Sequence, residues 1–182
     1  MASPGKGVWS GARAALALFG LLVAAAAVGS GARLEQLPQH WRDDQGRALA
    51  LTDLLGHRVF LSMAYTRCHK ICPATMSELQ RLQKLLDGRS EQASFVIVGY
   101  DPDNDDPESW RQYRANRQLD RGNWHFLTGT PQQTRQLARQ LGFDFWTYDT
   151  HVMHDPRIVV FDRLGLLSAS EDLVTADRPA LP

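Results

Sequence analysis

The sequence predicts a single α/β domain in which helices cover a sheet and a hairpin lies at one edge. Runs of buried, β-branched and aromatic residues alternate along the chain with segments whose apolar residues recur at helical spacing. With 182 residues, 43% of them hydrophobic, the chain is long enough for one well-buried domain plus a short appendage. The last apolar runs, 158–161 and 166–168, flank the turn 162–165 and predict the hairpin.

The first half of the predicted domain contains a small β element, two strands and a helix. The turn 43–47 is followed by leucines that indicate the β element. Residues 59–65 and 94–99 are typical of buried strands. Between these strands, apolar residues at helical spacing predict a helix; they are Met76, Leu79, Leu82 and Leu86.

The second half contains two helices with recognisable start signals. Asp106, followed by a proline and a glutamate, is typical of a helix N-terminus. Residues 124–127 predict a further strand. Thr130 and Gln133 form a capping box that opens a second helix, and Gly142 ends it.

The appendage is the N-terminus, residues 1–32, which has the pattern of an export signal or membrane anchor. Lys6 and Arg13 precede a small and apolar run of about 15 residues, shorter than the roughly 20 of a full membrane span. The positive charges place the following domain on the far side of the membrane, in an oxidising compartment. The predicted organisation is then a linker at 33–42, a domain at 43–170 and a loose tail at 171–182.

The charge of the chain argues against nucleic acid as a partner. Lysine and arginine number 20, aspartate and glutamate also number 20, and the formal net charge is zero. The basic residues are scattered among acidic ones and form no stripe, so no electrostatic footprint for a phosphate backbone is present.

Both cysteines, Cys68 and Cys72, lie at the junction between the strand 59–65 and the following helix. Pro73 suits the first turn of that helix, so Cys72 lies at or near its cap. A helix N-terminus lowers the pKa of a cysteine, and the thiolate is the form that binds soft metals or attacks disulfides. The pair is therefore a structural disulfide, a redox couple or part of a metal site, and its place after an early strand fits a thioredoxin-like arrangement.

A third ligand for such a metal site is available in the segment 148–156. This segment contains His151, Met153 and His154 just before the terminal hairpin. Two thiolates and one imidazole suit copper, as Cu(I) or, with an added ligand, as Cu(II). We expect His151 to be an ordinary hydrogen-bonded histidine and not a ligand, His69 between the cysteines to be solvated, and Met153 to be a packing residue.

In order along the chain, these motifs resemble the Sco (SenC-type) family of copper chaperones. The resemblance covers about residues 43–165. The motifs that carry it are Tyr65-Thr66-Arg67-Cys68-x3-Cys72-Pro73, Asp101-Pro102-x2-Asp105-x-Pro107, Leu127-Thr128-Gly129-Thr130 and Val152-x-His154 with Gly165.

The resemblance implies a thioredoxin-like, exported or anchored metallochaperone that is not an enzyme. Its copper would be held by Cys68, Cys72 and His154. It would load the binuclear copper A centre of cytochrome c oxidase subunit II, and other periplasmic copper carriers or thioredoxin-like reductants are further expected partners. The expected location is the periplasmic face of the cytoplasmic membrane, or the periplasm if the leader is cleaved.

The chain departs from the family pattern in three places. His69 and Lys70 stand where the family commonly has proline and often an acidic residue, which makes the segment between the two cysteines more positive. Met153 stands where an acidic residue commonly precedes the histidine, and Asp155 follows instead. The stretch after Gly165 is short and lacks the apolar periodicity of the family's terminal helix.

An alternative function uses the same cysteines. An exported thiol-disulfide oxidoreductase would reduce the cysteines of the oxidase subunit or of other exported proteins. Pro156 favours this alternative, because thioredoxins place a cis-proline opposite their cysteines. Asp101 and Asp105 are interpreted either as supports of the site or a docking surface, or as turn and cap residues only.

Overall fold

The computed structural model describes residues 31–68, 72–89, 91–149 and 151–172, without the side chains of Cys72, Pro73, Glu171 and Asp172. The strands are β1 (Trp41–Asp43), β2 (Ala48–Leu49), β3 (Arg58–Ala64), β4 (Ala93–Gly99), β5 (Trp124–Thr128), β6 (Phe145–Tyr148), β7 (His151–His154), β8 (Arg157–Phe161) and β9 (Leu167–Asp172). The helices are α1 (Cys72–Asp87), α2 (Pro107–Arg117) and α3 (Pro131–Leu141), and short 3-10 helices cover Leu34–Gln36 and Leu51–Leu54.

A seven-stranded sheet in the order β2-β1-β5-β4-β3-β8-β9 forms the centre of the domain. Strands β3, β4 and β5 are parallel to one another, and the outer strands are antiparallel to their neighbours. Every residue of β4 is buried, as expected for a parallel strand covered on both faces. The predicted α/β fold with a terminal hairpin is confirmed, since β8 pairs with β9 around the turn at Gly165.

The helices begin where the capping signals predict. The Asp106 carboxylate accepts a hydrogen bond of 2.7 Å from the backbone N–H of Ser109 at the start of α2. Thr130 and Gln133 form a reciprocal capping box at the start of α3. Gly142 ends α3 with a φ of 71°, in the left-handed region that glycine adopts without strain.

The segment 33–42, predicted as a linker, packs against the sheet. Leu34, Leu37 and Trp41 are all buried in the core. The Trp41 ring lies directly over Gly129, where an added Cβ would come within 2.5 Å of it. Only a residue without a side chain allows this contact. Because Trp41 and Gly129 are far apart in the chain, the local sequence pattern does not reveal that they meet.

The segment 145–154 forms a second, two-stranded sheet that the sequence pattern did not predict. Strands β6 and β7 pair antiparallel, with Phe145 opposite His154 and Tyr148 opposite His151. Apolar and polar residues are mixed on both of its faces, so the alternation that normally identifies a strand is weak. At the other end of the domain, β9 continues to Asp172, beyond the predicted end of the hairpin.

In the ranges that the structure describes, no helix is long and apolar enough to cross a membrane. The predicted export or anchor segment, residues 1–32, falls almost entirely outside those ranges.

Candidate metal centre

Residues 65–68, called the cysteine loop below, directly follow the carboxyl end of the parallel strand β3, where α/β domains commonly place their sites. Cys68 follows β3 by four residues, and its side chain is only 3% exposed. The backbone N–H of Cys68 donates a hydrogen bond of 3.0 Å to the carbonyl oxygen of Tyr65, which closes a turn. Helix α1 begins at Cys72, as predicted, but residues 69–71 and the Cys72 side chain lie outside the described residues.

His154, the last residue of β7, reaches Cys68 from 86 positions away in the chain. Its Nε2 lies 3.8 Å from the Cys68 Sγ, and its side chain is 5% exposed. Its other ring nitrogen, Nδ1, lies 3.2 Å from the carbonyl oxygen of Asp155. A carbonyl only accepts hydrogen bonds, so in the neutral ring Nδ1 carries the proton and the Nε2 lone pair faces the sulfur.

Two tyrosines enclose the His154 ring. Tyr100 stacks on it with ring centres 4.6 Å apart, and Tyr65 meets it edge-on at 5.8 Å. Tyr100 also contacts Phe145 of β6 at 5.0 Å between ring centres. The sequence pattern did not identify either tyrosine as a site residue. The available signal was positional, because Tyr65 directly follows β3 and Tyr100 directly follows β4, and the carboxyl ends of neighbouring parallel strands meet.

Asp105 holds the cysteine loop through hydrogen bonds made inside the domain. It has no exposed surface, and its Oδ1 accepts hydrogen bonds from the backbone N–H and the hydroxyl of Thr66, at 2.7 and 2.9 Å. Its Oδ2 accepts from the backbone N–H of Asp101 at 2.9 Å. Gly99 leaves room for this carboxylate, since an added Cβ there would lie 2.8 Å from the Asp105 Cβ. The loops that follow β3 and β4 are therefore joined through one buried side chain.

The ionisation of Asp105 is perturbed by its surroundings. Burial raises the pKa of Asp105 from 3.8 to about 6, although the hydrogen bonds from Thr66 and Asp101 act in the opposite direction. The negative charge of Asp101 adds a smaller increase to the pKa. The loop that carries Cys68 is therefore attached to a carboxyl group that changes charge in mildly acidic solution.

Asp101 holds the same loop at the surface. Its Oδ2 forms an ion pair with the Arg67 guanidinium at 2.9 Å and accepts a hydrogen bond from the Asn104 side chain at the same distance. Both aspartates of the Asp101-Asp105 motif thus contact residues within two positions of Cys68. Of the two interpretations drawn from the sequence, these contacts favour the one in which the aspartates support the site.

The remaining candidate residues lie elsewhere. His151 and Met153 are on the opposite face of β7 from His154 and are exposed. No cis peptide bond occurs in the described part of the chain, so the bond before Pro156 is trans and the argument for the reductase based on that proline is wrong. His69 falls outside the described residues.

A sulfur and an imidazole nitrogen directed at each other form the beginning of a site for a soft or borderline metal such as copper or zinc. Among the described residues, no group of three or more His, Cys, Asp or Glu side chains could hold a metal ion. The third predicted ligand, Cys72, has its side chain outside that description. The donor set fits a metal with sulfur and nitrogen ligands, and the hydrogen bond at Nδ1 orients the ring as metal-binding histidines require.

A comparison with protein families identifies the chain. The sequence model of SCO1/SenC matches residues 33–173, which is most of the chain. The chain belongs to the SCO1/SenC family. This confirms the resemblance drawn from the cysteine, aspartate and histidine motifs.

The relatives of the chain are found among bacteria and eukaryotes. The SCO1 protein homolog of Bacillus subtilis is 30% identical over 95 residues, which cover 52% of this chain and 49% of that protein. The mitochondrial SCO2 homolog of Danio rerio is 30% identical over 132 residues, covering 64% of this chain and 43% of that protein. The chain spans about half the length of the curated relatives it matches.

Solved structures share the fold. The copper-bound ScoI of Arabidopsis thaliana superposes with a TM-score of 0.67 at 20% identity, covering 79% of this chain and 88% of that one. The thioredoxin-like character of the α/β fold is thereby confirmed. At this level of identity the likeness concerns the fold alone.

Proposed function

We propose that this Sco-family protein binds one copper ion through the thiolates of Cys68 and Cys72 and the imidazole of His154. The observation that supports the proposal most directly is the approach of the His154 Nε2 to the Cys68 Sγ at 3.8 Å, with the Nδ1 proton directed to the Asp155 carbonyl. A copper ion bound by both atoms needs a lone pair on Nε2, and this hydrogen bond selects the tautomer that has it.

The near-complete burial of Cys68 and His154 has a consequence for copper exchange. Both side chains are no more than 5% exposed, so an ion bound to them would be shielded from water on this side. Copper would leave by ligand exchange, with one incoming thiolate or imidazole replacing one ligand at a time. Because copper binding requires thiolates, oxidation of the two cysteines to a disulfide would prevent loading.

We further propose that the recipient is the copper A centre of cytochrome c oxidase subunit II. Membership of the SCO1/SenC family supports a role in copper handling. Sulfur and imidazole ligands on the donor suit a recipient with similar ligands, because neither partner then releases the ion into water. The leader 1–32 would keep the domain at the periplasmic face of the membrane.

Copper titration of the purified, reduced chain tests the ligand set. Cu(II) should bind at one ion per chain with sulfur-to-copper charge-transfer absorption. His154→Ala should remove or shift this absorption and weaken binding by at least about tenfold, a free-energy change of about 1.4 kcal/mol. His40→Ala is the control, since this exposed histidine lies in a different part of the fold, just before β1. Equal effects of the two variants would overturn the assignment.

Transfer to the apo form of the subunit II copper domain distinguishes the chaperone from the alternative oxidoreductase. The copper-loaded chain should produce the absorption of a filled copper A centre in a reduced recipient, and Cys72→Ser should fail to do so. If the copper-free reduced chain instead reduces a disulfide in the recipient, and His154→Ala does this equally well, the oxidoreductase function is the correct one.

A further inference from the structure

The β6–β7 hairpin presents two chemically different faces. In its register Phe145 lies opposite His154, and Trp146 lies opposite Met153. Because side chains alternate along a strand, the first pair lies on the face that packs on the domain and the second on the outer face. His151 shares the outer face with Met153, two positions away on β7.

The outer face of this hairpin is unusually apolar for an exposed surface. Trp146 is 56% exposed, Tyr148 71% and Met153 38%. These are three of the six large hydrophobic side chains that are exposed in the described part of the chain, and all three lie within one hairpin of eight strand residues. Such a concentration of exposed aromatic and sulfur-containing groups on two short strands usually marks a binding site.

The ligand chemistry of this face is that of a soft cation. Met153 offers a thioether and His151 an imidazole, and thioether ligands select Cu(I). Their Cα atoms are separated by roughly 6.6 Å, two strand rises, so flexible side chains on one face can converge on an ion between them. The Trp146 indole is directly across the strand pair from Met153, where its π-face can lie over a bound cation.

We propose that His151 and Met153, covered by Trp146, form a second Cu(I) site on the outer face of the β6–β7 hairpin. This site shares no ligand with the pair Cys68 and His154, because Met153 and His154 project to opposite faces of β7. It has two ligands and is solvent-exposed, so its affinity is below that of a site with two thiolates. The proposal does not depend on the function proposed for the site at Cys68 and His154, called the inner site below.

A purely structural role for these residues makes a different prediction. A cross-strand pair of tryptophan and methionine stabilises a hairpin through apolar and sulfur–aromatic contacts, whatever metal is present. Met153→Leu separates the two roles, because leucine keeps most of the apolar contact and removes the thioether.

The test is an anaerobic Cu(I) titration of the full, reduced chain against a competing Cu(I) chelator, followed by metal analysis and tryptophan fluorescence. The wild type should take up two Cu(I) ions, and binding of the weaker one should quench fluorescence. Met153→Leu and His151→Ala should each take up one ion and lose this quenching phase. In Trp146→Phe the phase should be absent even where copper still binds.

Two controls make the result decisive. Met63→Leu removes a thioether that is buried in β3 and should leave both copper ions in place. The Cu(II)–thiolate absorption of the inner site should persist in Met153→Leu, so failure of the outer site is distinguishable from failure of the inner one. Retention of the quenching phase and of its copper ion by Met153→Leu would overturn the proposal, as would a wild-type titration without any quenching phase.

Discussion

The two segments that bring Cys68 and His154 together are held by different forces. The cysteine loop is attached by polar contacts, since Asp105 accepts three hydrogen bonds and two of them come from Thr66. The His154 ring is held mainly by aromatic packing against Tyr65 and Tyr100. Hydrogen bonds are directional and break when a donor moves, whereas stacked rings tolerate sliding.

Because they are held differently, the two segments contribute differently to the site. A loop fixed by a buried carboxylate keeps its backbone in one position. This suits Cys68, which lies four residues before the start of α1. A ring stacked on one aromatic face and met edge-on by another keeps its plane but retains freedom within it, and the hydrogen bond from Nδ1 to the Asp155 carbonyl sets its direction. We therefore expect damage to the polar network to reduce the stability of the domain, and damage to the aromatic packing to act mainly on metal binding.

The largest effect is expected from Asp105→Ala. The Thr66 and Asp101 donors would lose their acceptor in a buried position, at a cost of about 3 kcal/mol in the free energy of unfolding after the relief of burying a charge is included. Urea unfolding at neutral pH measures this change. Asp103→Ala, in the same loop but exposed, should change the free energy by less than about 0.5 kcal/mol. Similar values for the two variants would remove the distinction between the polar and the aromatic support.

A smaller effect is expected from pH. The pKa of Asp105 is raised from 3.8 in the unfolded chain to about 6 in the fold, so the folded state binds more protons between these values. Its contribution to stability is thus greatest in acid and declines as pH rises, by about 2 kcal/mol from about pH 4.5 to about pH 6.5.

The measurement is the free energy of unfolding across this range in the wild type and in Asp105→Asn, which should lack the decline. Asp43 has a lowered pKa, because hydrogen bonds from Arg47 and from the backbone outweigh the effect of burial. Its contribution is lost only as pH falls below its ordinary value, outside this window. A flat profile in the wild type would contradict the raised pKa of Asp105.

The smallest effect on stability is expected from Tyr100→Leu, together with a clear effect on copper. Loss of the stack on His154 and of the contact with Phe145 should cost about 1 to 2 kcal/mol of stability, and copper affinity should fall roughly tenfold because the His154 ring is no longer held. Tyr113→Leu is the matched control. Tyr113 is as buried as Tyr100 but packs on Trp110, so it should lose stability without losing copper affinity. An unchanged copper affinity in Tyr100→Leu would show that aromatic packing does not position His154.

Much of the fold was predictable because its signals are local. The start of α2 at Asp106, the capping box at Thr130 and the stop at Gly142 depend on contacts within a few residues. The β6–β7 hairpin was not predictable in this way. It pairs residues of mixed polarity, and on its inner face His154 and Phe145 pack against tyrosines from elsewhere in the chain.

The cysteine pair was predictable from residue type and spacing, and the choice of His154 came from the resemblance to the family, but the residues that support these ligands were not predictable. Cysteines at a strand-to-helix junction and a histidine before a hairpin can be identified from the amino-acid sequence alone. The role of Asp105 depends on Gly99 leaving space and on Thr66 standing beside it, which involves two parallel strands side by side. Sequence patterns describe which face a residue occupies, not which distant residue meets it.

The sequence by itself determined the α/β class, the helix boundaries, the cysteine pair and the chemical character of the metal ligands, because these follow from periodicity, capping and donor type. The resemblance to the family had named His154 as the ligand, but only the tertiary structure shows why His154, and not His151, faces Cys68. The physical reason is the register of β6 and β7, which turns alternate residues of one strand to opposite sides. A shift of one residue in that register would exchange the two histidines.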